Sequence, residues 1–227
     1  RLSPIINGCA LFTSYSVTVE LLAPEARSLE SSSRFIYVRR IEAGLERLAT
    51  WEETLPATAP NHFMINIEPD QLPGLRAFFK TGIGRDVTAL PLIRGRLASI
   101  NGQPAAGFRT AGAQGAAFLQ REANLTWTGE LSASNTVIDG KWWGADYAGP
   151  PQVSLDAKLA ASLGIGIGDV LRFNVAGEDI EAPVTSLRSV EWDSFRANFF
   201  VIAPPGLLES YPATFITSFH LPAENRA

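Results

Sequence analysis

Residues Ser186 to Gly206 read SLRSVEWDSFRANFFVIAPPG, and the fold turns on how this stretch is taken. Trp192, Asp193, Ser194 and Phe195 place large aromatic and charged side chains in an otherwise strand-like run, where a plain strand would carry β-branched ones. Asn198, Phe199, Phe200, Val201 and Ile202 resume the strand, and Pro204-Pro205-Gly206 stops it. The simplest physical reading is a bulged or looped insertion between two strands. Such an insertion presents large side chains on an edge, either to close a core or to meet a partner.

Immediately upstream, Ser154 is placed to cap a helix whose Leu155, Leu159 and Leu163 share one face, with Asp156 in the first turn and Gly164 as a left-handed stop. Leu171, Phe173 and Val175 then alternate with Arg172 and Asn174 as a half-buried strand, and Gly177 turns the chain toward Ile180 to Leu187. This succession is a helix-capped β-barrel pattern. Between Leu97 and Asp146, Asn101-Gly102 marks a hairpin, a helix is expected near Ala116 to Arg121, and short strands near Leu125 to Trp127 and Val137 to Ile138.

Further out, His62 to Ile67 alternates as a strand with Phe63, Ile65 and Ile67 on one face and His62, Met64 and Asn66 on the other. Asp70 offers an N-cap to a helix with Pro73 in its first turn, Leu72, Leu75, Arg76 and Phe79 on one face, and Gly82 as stop. Val87 to Ile93, broken by Pro91, is a second strand. Together these form a β-α-β unit whose strands are expected to pair in one sheet, with the helix packed across it. On the other side of the opening stretch, Thr214 to Leu221 returns as a strand with Phe215, Thr217 and Phe219 opposite Ile216 and Ser218.

The 227 residues suffice for a sizeable core and for one or two domains. With 46% apolar and 19% charged residues the chain is not a disordered one, and its net charge of -4 leaves no basic footprint for nucleic acid. The single cysteine, Cys9, forms no intrachain disulfide and leaves the redox compartment open. The uncharged run Leu2 to Val19 contains Pro4, Asn7, Gly8 and five Ser/Thr residues, which makes a poor membrane helix, and ten charged residues between Glu20 and Arg47 exclude a span there.

Chemistry-bearing motifs are scarce. His62 and His220 lack partners at metal-ligand spacing and are read as ordinary polar strand residues. Ser194 beside Asp193 lacks the G-x-S-x-G turn of a hydrolase nucleophile, and no carboxylate pair stands out as acid and base. Gly164-Ile165-Gly166-Ile167-Gly168 follows a helix and precedes a strand, the reverse of a nucleotide-binding loop, and is read as a helix stop plus turn. No catalytic, cofactor or metal site is assigned. The candidate interaction surface is Trp142, Trp143, Trp192, Asp193 and Phe195. If Trp142 and Trp143 sit on a strand they face opposite ways and one reaches solvent; the plainer reading is that both cover the barrel end. Asp193 and Arg196 are close enough in sequence to pair within their loop.

Several stretches resemble, in colinear order, the extracytoplasmic domain of bacterial ABC-transporter permeases of the FtsX/MacB superfamily. These are Trp51 to Asp70, Pro91 to Arg96, Arg121 to Trp127, Val153 to Phe173 and Ser186 to Ser218, with the WDSF and NFFV pair the most specific. The nearest branch is that of predicted lysophospholipase-associated exporter permeases. The resemblance implies an α+β fold, a β-α-β porter-like subdomain with an inserted small β-rich, barrel-like subdomain. Residues 48–96 would begin the porter-like part, 97–210 the insertion, and 211–227 the returning strand, truncated before a further helix and strand. Residues 1–47 resemble nothing nameable. The resemblance places a membrane helix just before Trp51, so these residues are expected to be a misread or foreign N-terminus, an engineered soluble start, or a variant leader.

The same resemblance implies a function without catalysis at the bacterial inner membrane, this domain lying on the periplasmic side. A separate cytoplasmic ABC ATPase would hydrolyse ATP, and the domain would couple membrane-helix movement to export or extraction of a lipid, lipoprotein or other envelope substrate. Other partners would be a second permease copy or the periplasmic substrate itself. The readings from other classes are an independent soluble module binding a small ligand or oligosaccharide, and an enzyme using the aromatic loop as a substrate wall.

Overall fold

A computed structural model of the chain describes residues 59–82 and 84–221 and, nearer the N-terminus, the strands β1 (Val17–Thr18) and β2 (Tyr37–Ile41). Cys9 and Trp51 lie outside the described residues. The chain divides into two units, one made of residues 91–191 and 198–213, the other of 1–90, 192–197 and 214–227.

The first unit is a closed barrel. Its strands are β4 (Leu90–Ile100), β6 (Ala123–Trp127), β8 (Val153–Asp156), β9 (Val170–Val175), β10 (Glu178–Val190) and β11 (Val201–Ala203), with β5 (Gln103–Pro104) and β7 (Asn135–Gly140) added outside the ring. β4 pairs with β6, β6 with β11 in parallel, β11 with β8, β8 with β10 in parallel, β10 with β9, and β9 back with β4. Closure satisfies both edges of every strand in the ring, which a short open sheet of this kind could not do. Two tight turns set the registers. Asn101 (φ 50°) and Gly102 (φ 77°) join β4 to β5, and Ala176 (φ 51°) and Gly177 (φ 91°) join β9 to β10, each the two-residue left-handed turn that matches strand twist.

Inward positions follow the period of two. Leu171, Phe173 and Val175 of β9 are buried, as are Ala182 and Val184 of β10, and they pack with Ile93, Leu97 and Leu125. Two helices complete this unit: α2 (Ala113–Gln120) and α3 (Ala157–Leu163), the latter burying Leu159, Ala160 and Leu163. Asp156, rather than Ser154, caps α3: its Oδ1 accepts from the Leu159 N–H at 2.8 Å, while Ser154 lies in β8. The parallel pairing of β8 with β10 extends the strand through Ser154 and delays the helix. Gly164 ends α3 in the left-handed conformation, φ 66°.

Two strand readings change. β4 begins at Leu90 and runs to Ile100, so Val87 precedes it, and Pro91 sits near its start where a missing N–H is tolerated. β11 holds only Val201–Ala203; Asn198, Phe199 and Phe200 approach it outside the ladder. The carbonyls of Phe199 and Phe200 accept from the Arg188 side chain, and that of Phe200 also from the Asp156 N–H.

In the second unit, β3 (His62–Ile67) pairs with β2 on one side and with β12 (Thr214–Phe219) on the other, both antiparallel. Both its edges are thereby taken, so the strand following the helix is not its neighbour, contrary to a simple β-α-β pairing. The buried residues of β3 are His62, Met64 and Ile67, not Phe63, Ile65 and Ile67. Asn66 explains the change. Met64 faces Thr217 while Ile67 faces Phe215, which leaves one extra residue on β3, and Asn66 carries φ 59°. This is a β-bulge that moves Ile67 to the opposite face, and Asn is among the few residues that adopt this conformation readily.

Helix α1 (Leu72–Gly82) follows a 3-10 turn, Pro69–Gln71. Asp70 lies within that turn and is exposed; the turn is instead closed by Gln71, whose Oε1 accepts from the Glu68 N–H at 2.9 Å and whose own N–H donates to the Glu68 carbonyl at 3.0 Å. Leu75 and Phe79 are buried and Arg76 is exposed. Met64, Ile67, Leu75, Phe79 and Val87 form the core, extended by an edge-on contact of Phe79 with Phe219 at 4.7 Å.

Candidate functional site

Trp142 and Trp143 come just after β7, outside any strand, so they do not face opposite ways. Their rings stack at 4.2 Å and 24°, and both indole N–H groups are used: Trp142 donates to the Gly129 carbonyl at 3.0 Å and Trp143 to that of Thr128 at 2.7 Å. Trp143 is buried and Trp142 half-buried, so a single indole face is offered at this turn. Gly140 lets the chain leave β7 in this way. At φ 75° it is left-handed, and a Cβ there would sit 2.0 Å from the Thr185 carbonyl oxygen.

Trp192, Asp193 and Phe195 fall in the other unit, on a segment containing the 3-10 turn Trp192–Ser194. Asp193 is exposed, Trp192 and Phe195 half-buried, and Phe195 carries φ 53°, a conformation a bulky residue holds only when its surroundings impose it. Among the described residues, Asp193 and Arg196 form no ion pair. The Ala197 N–H donates to Ser218 Oγ on β12 at 3.2 Å. The five aromatic and acidic candidates are thus divided between the two units.

Within the barrel unit, a residue that the sequence pattern did not single out organises the strands. Arg188 of β10 has no solvent exposure, and its guanidinium is held by neutral oxygens. Nε donates to Ser154 Oγ at 2.9 Å, one terminal nitrogen donates to Asn135 Oδ1, and the other to the carbonyls of Phe199 at 3.1 Å and Phe200 at 3.2 Å. Burial lowers its pKa to about 10, an effect partly offset by the carboxylate of Asp156. A planar fork with five donors can meet so many acceptors at once, which lysine could not. The signal for it was present: Arg188 continues the inward phase of Ala182, Val184 and Ser186.

The histidines are structural. His62 stacks on Phe219 at 5.5 Å, with Nδ1 2.7 Å from Asn61 Oδ1. His220 falls one residue beyond β12, its Nδ1 2.8 Å from the Ala59 carbonyl oxygen. Among the described residues no group of three or more His, Cys, Asp or Glu side chains could hold a metal ion, and no helix is long and apolar enough to cross a membrane.

What fold and site define together is a closed barrel with an internal polar anchor and aromatic surface turns. No family model matches the chain. Over 175 residues, 76% of its length, the chain is 37% identical to YbbP, an uncharacterized ABC transporter permease of Escherichia coli (strain K12). The chain spans about one fifth of that relative, the match taking in 20% of its length.

Proposed function

We propose that this chain is the extracytoplasmic part of an ABC-transporter permease of the FtsX/MacB type, in the branch of lysophospholipase-associated exporters. The single observation that carries this reading is the 37% identity over 175 residues to a protein named as an ABC transporter permease. The closed barrel is consistent with the β-rich insertion expected for such a domain, and β3, α1 and β12 with elements of a porter-like subdomain. In this reading the domain lies on the periplasmic face of the inner membrane and performs no chemistry. A cytoplasmic ATP-binding subunit acts through the membrane part of the full-length protein, and the domain passes that movement to a lipid, lipoprotein or other envelope substrate. Trp142, Trp192 and Phe195 are the surface residues proposed to meet that substrate or a second permease copy.

The test is cysteine accessibility in the full-length permease, co-expressed with its ATP-binding subunit in an otherwise cysteine-free background. Gln103→Cys lies at the exposed β4–β5 hairpin. It is expected to react with a membrane-impermeant maleimide in intact spheroplasts, and Trp192→Cys to change its labelling rate when the ATPase is trapped with vanadate. Labelling at Gln103→Cys only after lysis would overturn the extracytoplasmic placement, and a nucleotide-insensitive Trp192→Cys the coupling.

A further inference from the structure

The chain leaves the barrel unit after Glu191, makes a six-residue excursion through Trp192–Ala197, and returns at Asn198. The two ends of this strap are joined by backbone and side-chain groups of the barrel. The Glu191 N–H donates to the Ser134 carbonyl at 2.8 Å, and Asn198 Nδ2 donates to the Glu191 carbonyl at 3.4 Å. Asn198 Oδ1 in turn accepts from Asn135 Nδ2 at 2.8 Å and from Ser134 Oγ at 3.1 Å.

These bonds have a direction, and Arg188 sets it. Arginine only donates, so Asn135 must turn its Oδ1 toward the guanidinium and its Nδ2 away. That Nδ2 requires an oxygen from Asn198, which leaves the Asn198 amide nitrogen aimed at the Glu191 carbonyl. One buried cation thereby fixes the orientation of two amides and closes the base of the strap. The second terminal nitrogen of Arg188 reinforces the closure by holding Phe199 and Phe200, and the Phe200 carbonyl also accepts from the Asp156 N–H at 2.8 Å.

We infer that the Arg188–Asn135–Asn198 relay is a clamp that orders the Trp192–Ala197 strap by pinning both its ends to the barrel. This holds whether or not the chain serves a transporter, because it rests only on bonds within the barrel unit. Its consequence is conformational. With the base closed, the strap keeps one arrangement and Phe195 its left-handed conformation; with the base open, the ends of the strap are released and its amides open more often, although Ala197 still donates to Ser218.

Hydrogen exchange followed by mass spectrometry on the complete chain tests this, comparing wild type with Asn198→Ala and with Arg172→Ala. The latter removes only a surface ion pair, Arg172 to Glu181 at 2.5 Å, and serves as control. In Asn198→Ala the amides of 192–200 are expected to exchange roughly fivefold faster or more, the factor set by one or two lost partly buried hydrogen bonds. Those of β4 and β9 are expected to keep the wild-type rate, as all amides do in Arg172→Ala. Unchanged exchange across 192–200 would overturn the clamp. So would acceleration spread evenly over the barrel, since the relay would then support the barrel as a whole and not the strap.

Discussion

The two units hold their strands with different polar devices. In the second unit neutral side chains extend the backbone ladder: Asn61 both donates to and accepts from the Leu221 backbone, at 3.0 and 2.8 Å, and Thr217 Oγ1 donates to the Thr88 carbonyl at 2.8 Å. In the barrel the device is a charge without solvent exposure, Arg188, which draws β7, β8, β10 and the approach to β11 onto one guanidinium. A neutral hydrogen bond contributes modestly and is lost modestly, whereas a buried charge network is sensitive to the loss of either side, because the remaining groups stay desolvated and unpaired. The barrel is therefore the unit in which one substitution should matter most.

Arg188→Ala is the sharpest way to break that contrast. It removes the donor held by the oxygens of Asn135, Ser154 and Phe199, and about 3–5 kcal/mol of stability should be lost in urea unfolding. Asn61→Ala should cost only about 1–2 kcal/mol by the same measurement. Equal losses would erase the distinction between the two devices. The pH dependence follows from the sign of the shift. The pKa of Arg188 is lowered to about 10 in the folded state, so below that pH both states hold the proton and the difference between wild type and Arg188→Ala should be flat from roughly pH 6 to 9. Only as pH climbs through about 10 does the unfolded chain bind more protons than the folded one, and this group then favours folding increasingly.

Asp156→Ala should have a smaller effect. It removes the cap of α3 and the carboxylate that partly offsets the burial of Arg188, for a loss of about 1–2 kcal/mol in thermal or urea unfolding. Asp156→Asn keeps a capping oxygen and should recover most of it. If Asp156→Asn costs as much as Asp156→Ala, the charge facing Arg188 and not the cap is what counts.

The smallest effect is expected at the bulge of β3. Asn66→Gly should change stability by no more than a few tenths of a kcal/mol, since glycine accepts φ 59° freely and asparagine nearly so. Asn66→Val should cost about 1–2 kcal/mol, the strain of a β-branched residue held in that region. If Asn66→Val is neutral in urea unfolding, the bulge can move, and the register of β3 against β12 is looser than that of the barrel strands.

Much of the fold was legible where its cause is local. The turns at Asn101-Gly102 and at Gly177 bracket their hairpins, Gly164 stops α3, and Leu171, Phe173 and Val175 alternate inward as their spacing requires. Less was legible where a partner strand intervenes. Ser154 is a better helix cap than Asp156 by position, yet its pairing region belongs to β8; Asn66 looks like an alternating strand residue until β12 leaves one residue of β3 unmatched. Among the candidate surface residues, the aromatic content was evident, but not that Trp142 and Trp143 stack on each other or that Trp192, Asp193 and Phe195 fall in the other unit.

By itself the sequence determined the periodicities, the turn positions and the resemblance that points to a permease, because each depends on residues near one another along the chain or on their colinear order. Only the tertiary structure decided that β9 closes on β4 to make a ring, that β3 is flanked by β2 and β12, and that Arg188 meets Asn135, Ser154 and Phe199. Those outcomes depend on oxygens contributed by strands and loops far apart in the chain. An arginine in an inward phase becomes an anchor only when the folded barrel surrounds it with enough acceptors to hold its charge away from water.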